Sequence, residues 1–246
     1  MMGEVRYDAT EGVATITLAA PERRNALSVE MSRELIDAAR TAESDADVGA
    51  VVITGGAHFC AGAVRSVLAE TGKDPVEDTA YRDLETVYSA FTTIGTLDVP
   101  TIAAVRGAAV GAGLNLALST DLRVVSRSAR LLPGFAQIGI HPGGGHLHLL
   151  HRVAGREAAA AMGLFGEEVD GTRAVDLGIA WSAHEDPDVE GAARAVAARA
   201  AVDPDLARRV LRSFRRETAP GGLAWDSAVE VEHSPQMWSL RRKHGA

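Results

Sequence analysis

Apolar residues change their spacing several times along this chain, and each change marks an element. In EVRYDATEGVATITLA (residues 4–19) apolar and polar positions alternate on both sides of Glu11-Gly12, which predicts a β-hairpin. After Ser28, a suitable N-cap, the interval lengthens. Met31, Leu35, Ala38, Ala39 and Ala42 recur on one face, so a helix is expected to about residue 43. GAVVITGG (49–56) and VPTIAAVRG (99–107) are short continuous apolar runs and read as buried strands. Between them residues 79–95 are helical in pattern, with Leu84, Val87, Tyr88 and Phe91 inward. A helix is expected from about Gly111, a strand at 121–126, helices near 144–153 and 156–165, and a last strand at 179–183. From about 187 the pattern is helical only, near 187–201, 203–216 and 224–235.

Strands separated by helices predict an α/β core, and the helical end predicts an appended docking element. The boundary falls in DPDVEG (186–191), giving a core of residues 1–186 and a helical region of 187–246. In RRVLRSFRR (208–216) Arg208, Arg212 and Arg215 share a face opposite Leu206, Val210 and Phe214. The arginine face is expected to be solvated, with a phosphate contact as the alternative.

At 246 residues the chain can bury a substantial core without staples. Its single cysteine, Cys60, leaves no partner for a disulfide within the chain and fits a reducing compartment, so a cytoplasmic location is expected. The N-terminus lacks the apolar segment of a signal peptide, and no run is long enough to predict a membrane span. A net charge of −8 argues against a nucleic acid covering the surface, and 4 % aromatics are too few for base stacking. A small anion on a local basic patch, 208–216 or 241–243, stays compatible with that charge.

RGAAVGAGLNLALSTDL (106–122) leads a strand through a glycine-rich turn into a helix. It lacks the Lys-Ser/Thr ending of a phosphate loop, and Asp121 comes too early to hold a ribose. Small residues at Ala108, Ala109, Ala112 and Gly113 leave room for a ligand beside the main chain. A second turn of this type, HFCAGAVRS, follows the strand at 49–56 with Cys60, Ala61, Gly62 and Ala63. Two such turns can present two N–H donors to one oxygen, as an oxyanion hole requires; the other reading is two ordinary close-packed junctions.

PERRNALS (21–28), FCAGA (59–63), PTIAAVRGAAVGAGLNLALSTDLRV (100–124) and IGIHPGGG (138–145) together resemble the crotonase family, the enoyl-CoA hydratase/isomerase group, over essentially the whole chain. The resemblance implies a spiral of ββα units and a C-terminal helical trimerisation region, with trimers often paired into hexamers. It implies an acyl-CoA ligand, with no permanently bound cofactor beyond the CoA moiety of the substrate. The thioester oxygen would sit between the amides of Ala63 and Ala112; the family usually has glycine at the second position. Arg23, Arg24, Ala26, Ala61 and Gly62 match the strip that lines CoA, although a solvated loop also accounts for the two arginines. Arg241, Arg242 and Lys243 match a tail that offers cations to the phosphates, commonly of a neighbouring subunit; a frayed basic terminus is the alternative.

The two glutamates of the family's hydratases fall at Asn115 and Phe135, and neither position carries a carboxylate. Addition of water needs both a base and an acid, so the usual hydratase mechanism is in doubt. His141, beside Pro142 in the glycine-rich loop, is the expected substitute acid/base, against a structural histidine bonded to a loop carbonyl. In HPGGGHLHLLH, His148 and His151 share a helical face but His146 and His148 do not, so no metal site is expected. Tyr81, Glu85 and Tyr88 match the helix that lines the acyl pocket, with packing expected of Tyr88 and solvent exposure of Glu85. Val64 replaces an acidic residue usual in the family, and TGKDPVEDT (71–79) reads as a mobile cover. The expectation is therefore an acyl-CoA lyase or isomerase of fatty acid metabolism with non-standard acid/base residues. The alternative is a catalytically silent acyl-CoA carrier.

Overall fold

The computed structural model describes residues 3–74, 77–219 and 221–244. β1 (Val5–Thr10) and β2 (Val13–Leu18) form the expected antiparallel hairpin, turning through Glu11 and Gly12 at φ 53° and 75°. β3 (Ala50–Thr54) and β4 (Thr101–Val105) follow, each buried at every residue. Their continuous apolar sequence reflects a parallel sheet covered on both faces. β5 (Ala108–Val110), β6 (Leu122–Ser126), β7 (Arg130–Leu132), β8 (Val169–Asp170) and β9 (Ser182–His184) complete the strands. The large sheet has the order β1-β2-β3-β4-β6-β9 and is parallel from β2 onward; the small one has the order β5-β7-β8.

One unit repeats. After β4 and after β6 the chain turns into a short strand of the small sheet, β5 or β7, and then into a helix, α4 (Ala112–Ser119) or α5 (His146–Gly163). After β3 the equivalent place belongs to Cys60, which bridges Ala109 in parallel before α2 (Arg65–Lys73). This is the expected ββα spiral. The short strands escaped the sequence reading because three residues are too few to show a period.

α1 (Val29–Ser44) starts where Ser28 Oγ accepts the Met31 N–H at 3.0 Å, and α3 (Asp78–Thr96) packs beside it. Together with α4 they bury Leu35, Phe91 and Leu114 against one side of the sheet. Of the segment 71–79, Pro75 and Val76 lie outside the described residues. α5 is broken at Gly155 (φ 73°, ψ −178°), which yields the two predicted helical pieces. α6 (Gly171–Asp176) is a further short helix not foreseen from the sequence.

The opposite side of the sheet is covered by α7 (Val189–Ala201). Its Val189, Ala193 and Ala197 pack on Val52, Ile102 and Val124. The first helix of the 187–246 region is thus part of the core sandwich, and the peripheral helices are α8 (Pro204–Glu217) and α9 (Trp225–His244).

α8 reverses the expected orientation. Arg208 donates to the carbonyls of Ala42, Glu43, Asp45, Val48 and Asp98; Arg212 pairs with Asp98, and Arg215 with Asp121 at 3.0 Å. The arginine face is docked, while Val210 and Phe214 are 58 % and 52 % exposed. The cause is local: the last carbonyls of α1 have no helical donors, and a guanidinium supplies several at once. Val48, Asp98 and Asp121 all precede strands, so α8 caps the N-terminal end of the sheet, away from the turns at the other end. Among the described residues no helix is long and apolar enough to cross a membrane.

Candidate functional site

The two small-residue turns meet at the C-terminal end of the strands, where open parallel sheets bind ligands. Phe59 N donates to Arg106 O at 2.8 Å, Cys60 N to Ala108 O at 3.0 Å, and Val110 N to Cys60 O at 3.0 Å. These bonds lay the 59–63 turn along β5. A side-chain carbon placed on Gly62 would stand 3.0 Å from the Val110 carbonyl oxygen and 3.9 Å from the Ala112 nitrogen. Gly113, in the first turn of α4, leaves no room for one at all, because it would strike Cys60.

Alanine at position 112 now has a structural reason. The backbone reversal before α4 is made by Gly111 at φ 54°, ψ −116°, a conformation essentially reserved for glycine. Ala112 is the first helical residue, where alanine fits as well as glycine and keeps its N–H. Gly62 (φ 100°) does the same work before Ala63. Among the described residues neither the Ala63 nor the Ala112 N–H has a main-chain acceptor outside its own element. At Ala112 the orphan N–H lies at a helix N-terminus, the positive end of the helix dipole. A cleft of about 240 Å³ opens beside the 59–63 turn, lined by Ser28, Val64, Val67, Thr71 and Ala80.

The CoA-strip residues separate into two kinds. Arg23 forms an ion pair with Glu4 and its Nε donates to Ala26 O at 2.9 Å, so it is a tie between the segment and β1. That pairing raises the Arg23 pKa and lowers that of Glu4. Arg24 is exposed and adopts φ 54°, and its carbonyl accepts the Ala61 N–H at 3.0 Å. Asn25, not singled out from the sequence, is buried. It accepts from Ala20 N at 2.9 Å and donates to Gly55 O at 2.8 Å, holding the strip against the 55–59 turn. Arg241 and Lys243 are exposed on α9. Arg242 lies between them, pairs with Asp203 at 2.6 Å and stacks on Trp238. All three lie by the N-terminus of α8, at the opposite end of the sheet from Ala63 and Ala112 of the same chain.

Asn115 and Phe135 do come together, around a histidine that lies against both. Asn115, one turn below Ala112, is 1 % exposed. Its Oδ1 lies 2.7 Å from His146 Nδ1, and its Nδ2 donates to Gly143 O at 3.0 Å. Phe135 sets its ring against that of His146, with centroids 4.9 Å apart at 62°. The tip of the Phe135 ring is 3.8 Å from where a side-chain carbon on Gly111 would be. His146 is 1 % exposed, and burial pushes its imidazole down to about 4. Its Nε2 is buried and, among the described residues, has no partner. An orphaned buried acceptor costs on the order of 1–3 kcal/mol.

His141 does not share this cluster. It is exposed, and its Nδ1 lies 2.7 Å from Pro142 O, a carbonyl that only accepts, so the ring is fixed as a donor to its own loop. Among the described residues it has no hydrogen bond or ring contact with Asn115 or Phe135. The histidine between Asn115 and Phe135 is His146. A signal for it was present: counting back one turn from buried Leu150 puts position 146, and not 148, on the inward face of α5.

Tyr88 is half-buried, with its phenol pushed up by burial and its hydroxyl seated against Gly143; Glu85 and Tyr81 are exposed. Cys60 is buried and its thiol is raised to about 12, again by burial, which leaves it unreactive at neutral pH. Among the described residues no three His, Cys, Asp or Glu side chains gather as a metal ion would require.

A family model described as enoyl-CoA hydratase/isomerase matches residues 8–234. The chain is 41 % identical over 233 residues to the probable enoyl-CoA hydratase EchA14 of Mycobacterium tuberculosis, covering 93 % of this chain and 89 % of that one. It is 32 % identical over 243 residues to 1,2-epoxyphenylacetyl-CoA isomerase of Escherichia coli, covering 98 % and 92 %. To 4-chlorobenzoyl coenzyme A dehalogenase-2 of Arthrobacter sp. it is 30 % identical over 246 residues, covering 98 % and 87 %. The crystal structure of an enoyl-CoA hydratase from Polaromonas sp. JS666 superposes with a TM-score of 0.88 at 27 % identity, covering 99 % and 94 %.

Proposed function

Because the chain belongs to the enoyl-CoA hydratase/isomerase family, we propose that it is an acyl-CoA enzyme whose Ala63 and Ala112 N–H groups hold the thioester oxygen. The observation that carries this reading is the seating of the Gly62-Ala63 turn on the Gly111-Ala112 turn, with both N–H groups left, among the described residues, without main-chain acceptors outside their own elements. Removing a proton beside a thioester puts negative charge on its oxygen. Two fixed amides lower the energy of that enolate without reorganising, and each such donor is worth on the order of 100- to 1000-fold in rate. The relatives share a CoA thioester in their names and differ in the reaction, which fits a constant oxyanion site with exchangeable side chains around it.

Arg24, Ala26, Ala61 and Gly62 form the CoA strip in this reading, with Arg23 bracing it from Glu4. Arg241 and Lys243 reach a CoA only on a neighbouring subunit, because their own chain puts them at the wrong end of the sheet. The exposed apolar face of α8, with Trp225 and Met237 of α9, is a surface for a homotrimer or a dimer of trimers. The buried thiol of Cys60 fits a cytoplasmic enzyme.

The test is a structure with a bound acyl-CoA analogue, alongside a turnover screen over enoyl-, β-ketoacyl- and aryl-CoA thioesters. The thioester oxygen is expected roughly 2.7–3.1 Å from both nitrogens. A carbonyl bound elsewhere overturns the oxyanion assignment, and tight binding with no turnover of any thioester replaces the enzyme by a carrier.

A further inference from the structure

The hydrogen bonds around Asn115 determine where the proton sits on His146. Gly143 O can only accept, so the amide nitrogen of Asn115 faces it and the amide oxygen faces the imidazole. That oxygen also only accepts, so Nδ1 carries the hydrogen and Nε2 carries a lone pair. Among the described residues five buried side-chain atoms lack a partner, and His146 Nε2 is the one that is a neutral nitrogen base.

Its place relative to the oxyanion turn is equally constrained. Asn115 N donates to Gly111 O at 2.9 Å, so the amide that orients the ring hangs one helical turn from Ala112. On the other side Phe135 bridges from Gly111 to the ring edge. The imidazole is thus one side chain away from the oxyanion helix by two separate routes. Both routes screen it from water, and neither occupies Nε2.

We propose that His146 is the catalytic acid/base of this site, with Nε2 taking a proton from the acyl chain and giving it back, and that Asn115 is its positioning residue. This rests on the acyl-CoA reading above. In the forward step the α-carbon–hydrogen bond breaks and Nε2–H forms. The released electron pair becomes the carbon–carbon double bond of the enolate, and the carbonyl pair moves onto the oxygen held by Ala63 and Ala112. In the return step Nε2–H, whose hydrogen exchanges with solvent while the enolate is held, delivers a proton to a carbon of the chain, and the electrons return from oxygen. No oxidant, metal or second residue is consumed. The hydrogen bond from Nδ1 to Asn115 strengthens as the ring becomes a cation, which offsets part of the cost of charging a buried group. A depressed imidazole pKa of about 4 agrees with a ring that stays neutral, and so available as a base, at neutral pH.

The experiment follows hydrogen exchange at the α-carbon of butyryl-CoA in D2O by proton NMR, with calorimetry of butyryl-CoA binding and 15N spectra of the histidine rings. Wild type is expected to bind, to exchange, and to show a buried imidazole protonated at Nδ1. His146→Gln is expected to bind within about threefold but to exchange at least about 100-fold more slowly. His146→Asn keeps a donor toward Asn115 while removing the Nε2 lone pair together with the ring edge that meets Phe135, so it gives a second reading should the first variant fold poorly. Asn115→Ala is expected to lose the Nδ1–H signature and to lower exchange about tenfold with little change in affinity, whereas His141→Ala is expected to exchange as wild type does. Exchange persisting in either folded His146 variant, or a wild-type ring protonated at Nε2, overturns the assignment to His146 and leaves the acyl-CoA reading standing. Failure of wild type to bind butyryl-CoA, crotonyl-CoA or phenylacetyl-CoA overturns the acyl-CoA reading and the proposal with it.

Discussion

Asn115 and His146, 31 residues apart in the chain, face each other at 2.7 Å, amide oxygen to Nδ1, with neither side chain more than 1 % exposed. The cluster of Asn115, Phe135 and His146 therefore contains one titratable group. It is a neutral imidazole held by the amide of Asn115, which itself sits one helical turn from the Ala112 N–H.

This arrangement makes stability depend on pH with a definite sign. Burial lowers the His146 pKa from 6.5 to about 4, so below 6.5 the unfolded chain binds a proton that the folded one refuses. Stability from this group is full above pH 6.5 and is lost as pH falls toward 4, by about 3 kcal/mol at most. Urea unfolding of wild type between pH 4 and 8 should show this slope, and His146→Gln should flatten it; equal slopes would contradict the burial of a neutral His146 ring.

Asn115→Asp puts a carboxylate where the amide oxygen now accepts from Nδ1. An anion there favours the imidazolium, so the His146 pKa rises, by roughly 1–3 units for a close opposite charge. The acid limb of the pH–rate profile should move upward by that amount, and the neutral base should be available only at higher pH. An unmoved limb would mean that another group titrates.

Gly111 and Ala112 have opposite tolerances. Gly111→Ala forces a side chain into φ 54°, ψ −116°, which costs on the order of 1–3 kcal/mol and turns the Ala112 N–H away. Thioester turnover should fall about 100-fold or more if that donor is lost. Ala112→Gly should change turnover less than about threefold and lower stability by roughly 0.5–1 kcal/mol, because position 112 needs no positive φ. The reverse ranking of the two variants in the same assay would show that the donor assignment is wrong.

Arg208→Ala should act on stability and not on chemistry. The guanidinium bonds carbonyls at the end of α1, and its loss leaves them unpaired under α8. Bonds to a charged donor contribute about 1.5–3 kcal/mol in favourable cases, so a loss in that range is expected in urea, with KM for a thioester unchanged. Arg208→Lys should recover only part of it, since one ammonium cannot reach the same spread of acceptors.

Most of the architecture was legible in the residues. The alternation around Glu11-Gly12, the Ser28 cap and the apolar runs at 50–54 and 101–105 each specify their element locally, and the structure has them there. The paired turns were legible too, because small residues at 60–63 and 108–113 are required wherever two backbones approach closely. The short strands β5, β7 and β8 were not, because two or three residues carry no period and depend on the neighbouring strand for their hydrogen bonds.

By itself, then, the chain determined an α/β core and two small-residue turns through local composition and spacing, while the spiral and the roles of Asn115 and Phe135 entered as what the family resemblance implies. Only the tertiary structure decided which histidine is buried and which face of α8 is docked. Gly143, Gly144 and Gly145 leave the direction of α5 open, and that direction sends His146 inward and leaves His141 outside. The arginines of α8 turned inward because unpaired carbonyls, contributed by segments more than a hundred residues away, needed donors more than the apolar face of a single chain needed cover.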